Sequence, residues 1–218
     1  MIDLVVVIVL SYVAGSVPTS IVVGKVLKGI DIRQHGSGNA GATNVLRVLG
    51  WKPALVVVVV DVFKGFAAAY WIAGLHVFPT SLNLPGSLIP ILAGMAAVLG
   101  HTYTVFAGFR GGKGVGTAAG MLIALFPLAV LVCLPVFVLV IILSGYVSLS
   151  SMLTAVSLPL TLLLFQVTAV RQVDLYLFIF SLLIPIFIIF THRSNIKRLL
   201  SGEENRFDKA RIFVRNKP

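Results

Sequence analysis

The sequence predicts an all-α integral membrane protein with seven transmembrane helices, its N-terminus outside the cell and its C-terminus in the cytoplasm. The first observation is composition: the 218 residues include only 11% charged side chains, and the mean hydropathy is +1.05, which is typical of a polytopic membrane protein. The second is that apolar segments of about 20 residues recur along the chain. The third is that the net charge of +10 lies in short blocks between those segments. That distribution follows the positive-inside rule and argues against nucleic acid as a partner.

The first half of the chain contains three predicted membrane spans, at residues 2–24, 53–74 and 84–107. Pro18 predicts a kink in the first of them. This span has no basic residue before Lys25, so we interpret it as a retained helix and not as a secretory signal peptide, which begins with a basic region. The connector at 76–86 contains no Lys or Arg, which predicts that it lies outside, and its His76 is given no role.

The second half of the chain begins with 57 residues, 114–170, that contain no charged side chain and exceed the length of two ordinary spans. Breaks are expected at Pro127, Pro135, Gly145 and Pro159. We therefore predict a short helix at 114–126 and spans at 127–144 and 151–170. A brief loop with Arg171 and Asp174 then leads to the last span, at 175–191.

The positions of the basic residues predict the orientation. Fifteen of the 17 Lys and Arg residues fall in segments 25–52, 107–113 and 192–218. Placing all three segments in the cytoplasm requires an odd number of spans. Seven spans result if 114–144 folds as two helices, and five if it enters the membrane and returns; both place 146–151 at the cytoplasmic face. We favour seven.

The stretch 36–47, GSGNAGATNVLR, is the clearest candidate for chemistry. Closely spaced glycines let backbone amides converge on one point, and such a nest before a helix N-terminus binds an anion. Thr43 or Asn44 is the expected helix cap, and Arg47 supplies a cation. The alternative is a flexible polar turn between membrane helices, which would need fewer small hydrogen-bonding residues.

Two familiar nucleotide-binding motifs are excluded. The spacing of Gly36, Gly38 and Gly41 matches the dinucleotide fingerprint, but that motif requires a preceding buried strand. The second glycine run, at 110–116, is not a Walker A loop, because Lys113 is followed by glycine and not by Ser or Thr.

Several ionisable side chains at or within the spans have open roles. Asp61 and Lys64 lie three residues apart on one helical face, where they either tie helices together or serve function. His101 and His192 stand at membrane boundaries; each is a core histidine or a functional one. Cys133 lies in an apolar run and is expected to be a buried hydrophobe, which leaves no disulfide and no cysteine metal cluster.

Four polar clusters are expected on the cytoplasmic side, at residues 35–47, 101–113, 146–151 and 192–206. They share cations and neutral donors: Arg47, Arg110, Lys113, His192, Arg193, Lys197 and Arg198, with Ser37, Asn39, Thr43, Asn44, Ser148, Ser151 and Asn195. Such a set predicts a site for phosphate groups. A transporter of a phosphorylated metabolite is disfavoured, because transporters usually bind at the midplane and show repeats. An anion-sensing module would need an output domain, which is not recognisable here.

These clusters resemble the bacterial acyl-phosphate:glycerol-3-phosphate acyltransferases, the PlsY family. The resemblance is carried by GSGNAGATNVLR (36–47), DVFKG (61–65), HTYTVFAGFRGGKGVGT (101–117), YVSLSS (146–151) and HRSNIKRLLSGEENR (192–206). It implies a seven-helix enzyme of the bacterial cytoplasmic membrane, one domain over 1–218, with its site facing the cytoplasm. The implied reaction moves an acyl group from acyl phosphate to the sn-1 hydroxyl of glycerol 3-phosphate, giving lysophosphatidic acid and phosphate in phospholipid synthesis. Ala40, Tyr103, Thr104, Gly116 and Glu203 depart from the family pattern, all at spacing positions.

The resemblance also implies roles for individual residues. The phosphate of acyl phosphate is expected on Ser37, Gly38, Asn39, Gly41, Thr43 and Asn44. Expected around glycerol 3-phosphate are Arg47, Lys113, Ser151, His192 and Asn195, with His101 as a further catalytic candidate. Additional substrate-binding candidates are Asp61, Lys64, Arg110, Ser148 and Glu204.

The expected chemistry involves no covalent acyl-enzyme, no cofactor, no metal and no partner beyond the substrates and membrane lipid, in a monomer. The sequence lacks G-x-S-x-G, and its one thiol lies in an apolar run. The base is either the substrate's own phosphate or a histidine, His101 or His192.

Overall fold

The structure is a computed structural model that describes residues 2–75 and 85–207. This part of the chain is helical and contains no strand. Its ten α-helices are α1 (Ile2–Ser16), α2 (Thr19–Lys28), α3 (Ala42–Leu49), α4 (Trp51–Tyr70), α5 (Leu88–Thr102), α6 (Val115–Leu125), α7 (Pro127–Ser144), α8 (Val147–Val167), α9 (Leu175–Thr191) and α10 (Arg193–Leu200). Short 3-10 helices occupy Ile32–Gln34, Ile72–Gly74 and Val105–Ala107. The chain divides into two compact units, a first unit of residues 1–126 and a second unit of residues 127–218.

Five helical segments of the described chain are long and apolar enough to cross a membrane. They are Ile2–Lys28, Trp51–Gly74, Leu88–Ala107, Pro127–Ser144 and Val147–Val167. Helices α9 and α10, bent by 61° to each other, make a sixth if counted as one span. Helix α6 has 11 residues, fewer than the roughly 20 that cross a bilayer unaided. The predicted short helix is therefore confirmed as a helix, and the total of seven spans stays a prediction.

Close helix packing in the first unit depends on glycine. A Cβ atom added at Gly120 of α6 would overlap the Val62 carbonyl oxygen of α4, and one at Gly65 would overlap that of Thr117. Small residues allow the two backbones to approach closely. In a bilayer the hydrophobic effect does not drive helices together, so this close packing drives their association. The α4–α6 contact thereby holds the start of α6, next to Lys113, against a long membrane helix.

Some sequence-based expectations about element boundaries are wrong. The N-cap of α3 is Gly41, so neither Thr43 nor Asn44 caps it. Helix α8 runs from Val147 to Val167 and not over the predicted 151–170, which puts Ser148 and Ser151 in its first turns. Pro135 and Pro159 lie inside helices that run on through them, which the membrane environment tolerates. The break before Thr19 confirms the predicted kink at Pro18. His76 lies outside the described residues.

Candidate active site

The side chain of Asn44 organises the first polar loop of the first unit, residues 35–41, which precedes α3. Asn44 is 1% exposed. The Nδ2 atom donates to the carbonyl oxygens of Ile32 and His35, both at 2.9 Å. The Oδ1 atom accepts from the Ser37 amide at 2.8 Å. The amide group thus joins both sides of the turn that precedes α3.

The glycine-rich loop leads directly into α3, whose first amides have no acceptor within the helix. Gly36 and Gly38 have φ angles of 61° and 72°, in the left-handed region that favours glycine. Gly41 is extended, with φ at −140°, so the predicted nest is limited to the first two glycines. Ser37, Asn39 and Thr43 are partly exposed at this loop. Amides and helix dipole together suit the binding of an anion.

The predicted cations of the first unit lie near this loop in sequence or in the second polar loop. Arg47 is partly exposed and stands four residues after Thr43 on α3, which places the two on one helical face. Lys113 is partly exposed just before the left-handed N-cap of α6, Gly114, with φ at 82°. Arg110 is exposed.

The second polar loop, residues 103–113, closes back on the end of α5. The Gly111 amide donates to the Thr102 carbonyl at 3.0 Å and the Gly112 amide to the His101 carbonyl at 3.1 Å. A Cβ at Gly112 would lie 2.7 Å from the Ala40 carbonyl oxygen. The two polar loops therefore touch at this glycine.

Sequence reasoning missed Arg33, which it counted only among the fifteen basic residues of the three predicted cytoplasmic segments. The guanidinium contacts the Asp31 carboxylate through Nε and Nη2, at 3.0 Å and 2.7 Å for the shortest bond of each. Its Nη1 donates to the carbonyl oxygens of Ala107 at 2.8 Å and Arg110 at 3.3 Å. Hydrogen bonds from Arg33 hold the pKa of Asp31 at about 2, below its ordinary 3.8. An acid and an arginine two residues apart, directly before a glycine loop, was the available signal.

Asp61 forms the centre of a buried polar group. Its Oδ1 atom lies 2.9 Å from Lys64 Nζ and 3.5 Å from His101 Nδ1, and it accepts from the Thr19 hydroxyl at 3.3 Å. Lys64 also donates to the Val17 carbonyl at 3.1 Å. The predicted pairing of Asp61 with Lys64 is confirmed. Because these contacts join α4 to the α1–α2 break and to the end of α5, they favour the helix-tying interpretation.

Glu204 forms the corresponding centre of the second unit. Its Oε1 atom accepts from Ser148 Oγ at 2.8 Å and from Asn195 Nδ2 at 2.7 Å, while Oε2 accepts from Arg198 Nε at 2.8 Å. Burial by itself raises the pKa of this carboxyl, but the hydrogen bonds from Asn195, Ser148 and Arg198 lower it below its ordinary value. The carboxylate therefore holds α8, α10 and the following segment together.

His192, the N-cap of α10, is 3% exposed. Its Nδ1 atom lies 2.7 Å from the Ile188 carbonyl oxygen. A carbonyl oxygen only accepts, so Nδ1 carries a proton and donates to it. Ser151 donates to the Val147 carbonyl at 2.8 Å. Among residues 2–75 and 85–207, no group of three or more His, Cys, Asp or Glu side chains is placed to hold a metal ion.

Comparison with known proteins identifies the family. The sequence pattern of the glycerol-3-phosphate acyltransferases matches residues 5–202. Proteins named glycerol-3-phosphate acyltransferase from Chlorobaculum tepidum and Chlorobium chlorochromatii are 47% and 46% identical, over 94% of this chain and 97% of theirs. The chain belongs to the glycerol-3-phosphate acyltransferase family.

Solved structures of this acyltransferase family share the fold. The crystal structure of PlsY (YgiH), an integral membrane glycerol 3-phosphate acyltransferase, in its glycerol 3-phosphate form matches with a TM-score of 0.79. The identity is 36%, over 94% of this chain and 96% of that chain. The lysophosphatidic acid form of PlsY matches with a TM-score of 0.76 at 35% identity.

Membership confirms the resemblance seen in the sequence. The matched region includes three of the four polar clusters and most of the fourth. The chain is thus a membrane-embedded acyltransferase of phospholipid synthesis, and the alternatives of a metabolite transporter and an anion sensor lose their support.

Proposed function

We propose that the protein transfers an acyl group from acyl phosphate to the sn-1 hydroxyl of glycerol 3-phosphate. The hydroxyl oxygen forms the new ester bond, the anhydride C–O bond breaks, and phosphate leaves with lysophosphatidic acid as the product. The observation that carries the proposal is the preorganised glycine-rich loop at the N-terminus of α3, since it suits a phosphate group. The glycerol 3-phosphate and lysophosphatidic acid forms of PlsY support the acceptor and the product.

The proposed roles follow the two units. In the first unit, Ser37, Gly38, Asn39, Gly41 and Thr43 bind the phosphate of acyl phosphate, while Asn44 supports them by holding the loop. Arg47, Lys113 and Arg110 supply positive charge. In the second unit, Ser151, His192 and Asn195 serve glycerol 3-phosphate. Ser148 and Glu204 position Asn195 through the hydrogen bonds that converge on the carboxylate.

Positioning and charge stabilisation suffice for this chemistry, because acyl phosphate is already an activated anhydride. Orienting two substrates contributes roughly 7–11 kcal/mol to lowering a barrier. Each preorganised donor at the developing charge adds about 3–4 kcal/mol. The acyl chain lies among apolar helices and reaches them from the lipid.

The proposed setting is the bacterial cytoplasmic membrane, with seven spans, a cytoplasmic site and a monomeric protein of one functional domain. Aromatic side chains at both ends of α4 support its depth in the bilayer. Trp51 begins the helix and Tyr70 ends it, followed by Trp71 as the C-cap. At this second end, the rings of Tyr70 and Trp71 lie 5.2 Å and 5.5 Å from that of Phe66, between centroids. Trp and Tyr favour the two membrane–water interfaces.

Purified protein in lipid nanodiscs tests the reaction directly. We expect lysophosphatidic acid from acyl phosphate plus glycerol 3-phosphate, and none when acyl-CoA replaces acyl phosphate. Product from acyl-CoA at an equal rate would overturn the proposed donor. Omitting glycerol 3-phosphate controls for simple hydrolysis of acyl phosphate.

We further propose direct transfer without an acyl-enzyme, with the substrate's phosphate accepting the hydroxyl proton. Intact-mass measurement after rapid quench with acyl phosphate alone should show no added acyl group. An adduct that chases into lysophosphatidic acid on adding glycerol 3-phosphate would refute it. The alternative base is His101 or His192: loss of one limb of the pH profile of kcat in His101→Gln or His192→Gln, with unchanged substrate affinity, would favour that alternative.

A further inference from the structure

We infer that Asp31 and Arg33 are positioning residues of the acyl transfer, which set the spacing between the two glycine-rich loops of the first unit. The inference rests on the proposed function, in which residues 36–44 bind one phosphate and the second loop carries the cations Arg110 and Lys113. Neither Asp31 nor Arg33 is proposed to touch a substrate. They act through the backbone of the second loop.

The anchor of this contact is rigid on the side of the first loop. Arg33 lies in the short 3-10 helix Ile32–Gln34, and the side chain of Ile32 is fully buried. The Ile32 carbonyl accepts from Asn44, the same side chain that folds the glycine loop. Asp31 caps this 3-10 helix by accepting from the Arg33 amide at 3.0 Å. Arg33 is therefore attached to the base of the first loop.

The Arg33 guanidinium makes two sets of contacts. Nε and Nη2 bind the Asp31 carboxylate, which fixes the plane of the group. That leaves Nη1 directed at the carbonyl oxygens of Ala107 and Arg110, at 2.8 Å and 3.3 Å. The two side chains are only 28% and 20% exposed, so the arrangement differs from a solvated surface pair. A lysine has one compact ammonium group and cannot satisfy the carboxylate and both carbonyls with this planar geometry.

The second loop is thereby held at both ends. Near its C-terminal end, the amides of Gly111 and Gly112 donate to the last carbonyls of α5. Gly112 also contacts Ala40 of the first loop there. Its tip is held by Arg33.

Near its start the second loop is also attached by the Tyr12 hydroxyl, which donates to the Tyr103 carbonyl at 2.6 Å, and by the Thr104 hydroxyl, which donates to the Ser16 carbonyl. Without the contact from Arg33, residues 107–110 lose their hydrogen bonds to the base of the first loop, and the loop can pivot about the attachments that remain. Because misplacement by about 1 Å can cost an enzyme roughly 100-fold in rate, a pivot would displace Arg110 and Lys113 enough to weaken their action.

Four variants of the full-length protein in nanodiscs test the inference. Arg33→Lys keeps the positive charge but removes the planar guanidinium group, and Arg33→Gln removes both. Asp31→Asn weakens the contact between the carboxylate and the guanidinium. Lys28→Gln is the matched control, since it removes one exposed positive charge from the same segment without touching the loops. Each variant is measured for KM and kcat with both substrates and for hydrogen exchange at residues 103–113.

We expect Arg33→Lys and Arg33→Gln to lower kcat/KM for glycerol 3-phosphate by roughly 10- to 100-fold, with a raised KM, because Lys113 is one of the cations expected around that substrate. Exchange at Gly111 and Gly112 should be faster. The KM for acyl phosphate should be unchanged, because Asn44 and not Arg33 folds the first loop. A merely structural role would instead lower the active fraction, which reduces kcat and leaves both KM values alone. Asp31→Asn should show a smaller effect of the same kind, and Lys28→Gln should match the wild type.

The outcomes separate this inference from the proposed function. A wild-type protein that makes no lysophosphatidic acid removes the proposed function, and the inference with it. An active wild type together with an Arg33→Lys variant of unchanged KM overturns the inference alone, whether or not exchange is faster. Arg33→Lys is decisive if Arg33→Gln fails to fold.

Discussion

At the scale of single residues, buried amide and carboxylate groups do the organising work. Asn44 in the first unit and Glu204 in the second each satisfy three partners. Each side chain links chain segments that no backbone hydrogen bonding of a single helix joins. Removing one partner of such a group leaves a buried donor or acceptor unsatisfied. This destabilises the folded protein by more than the hydrogen bond itself contributes. Single polar substitutions should therefore have clear effects.

We expect Asn44→Asp to destabilise the first unit by about 1–3 kcal/mol and to raise the KM for acyl phosphate. A carboxylate cannot donate to the Ile32 and His35 carbonyls, and it would face both oxygens at close range. Thermal unfolding in detergent and steady-state kinetics measure the two effects. Gln34→Glu makes the same chemical change at an exposed position of the same segment and should leave both unchanged. Wild-type behaviour of Asn44→Asp would refute the organising role.

The stability of the second unit should depend on pH through Glu204. Its folded-state pKa lies below the ordinary value of 4.5, so its contribution is fully present above that value and is lost as pH falls through the folded pKa. Melting temperatures between pH 7 and pH 3 should fall less steeply in Glu204→Gln than in the wild type. The exposed Glu203 offers the control, because Glu203→Gln should retain the wild-type slope. Equal slopes in all three proteins would contradict the assignment.

Arg47→Ala and Lys113→Ala are each expected to lower kcat/KM by roughly 10- to 150-fold while the protein stays folded. Each lost charge-assisted contact with a phosphate should cost about 1.5–3 kcal/mol. Turnover assays and melting temperatures in nanodiscs measure the two effects separately. Lys52→Ala removes an exposed cation from the same predicted cytoplasmic segment and should be nearly silent. Normal kinetics in either variant would mean that these cations serve membrane orientation alone.

At the scale of helices, close backbone contact between α4 and α6 fixes the C-terminal end of the second polar loop, where α6 begins. Helix α6 is short, and its N-terminus follows Lys113 directly. Glycines on both helices let the backbones meet, as at Gly65 and Gly120. The contact matters for function because α4 also carries Asp61, whose partners include His101 at the end of α5.

Gly120→Ala should destabilise the protein by about 1–3 kcal/mol, because the added methyl group overlaps the Val62 carbonyl and forces the helices apart. The melting temperature of the purified protein measures this change. Gly86→Ala is the matched substitution, since a Cβ there meets nothing within 4 Å. A Gly120→Ala variant as stable as Gly86→Ala would show that the helices separate at little cost.

At the scale of the whole molecule, the segments rich in Lys and Arg alternate with apolar helices as the positive-inside rule requires. The described chain offers five spanning segments, a bent helix pair and the short α6. Counting the last two as spans yields the odd number that the charge distribution demands. The proposed N-out, C-in orientation follows from that count.

Cysteine labelling in intact cells tests the orientation. In a Cys133→Ala background, an impermeant maleimide added outside should label Gly86→Cys and leave Ser201→Cys unlabelled until the cells are opened. Both positions are exposed, so a lack of labelling reports the membrane side and not burial. The reverse pattern would overturn the topology, and with it the cytoplasmic location of the site.

The sequence by itself determined the class of protein, the family and the polar clusters, because apolar runs, blocks of charge and glycine-rich stretches are local signals. It also predicted the Asp61–Lys64 pair, since residues three apart on a helix must be neighbours. Only the tertiary structure decided what Asn44, Arg33 and Glu204 do. Apart from Asp31, which is two positions from Arg33, their partners lie 6 to 77 positions away in the chain. No local periodicity encodes which carbonyl or hydroxyl a buried polar group will meet once the backbone has folded.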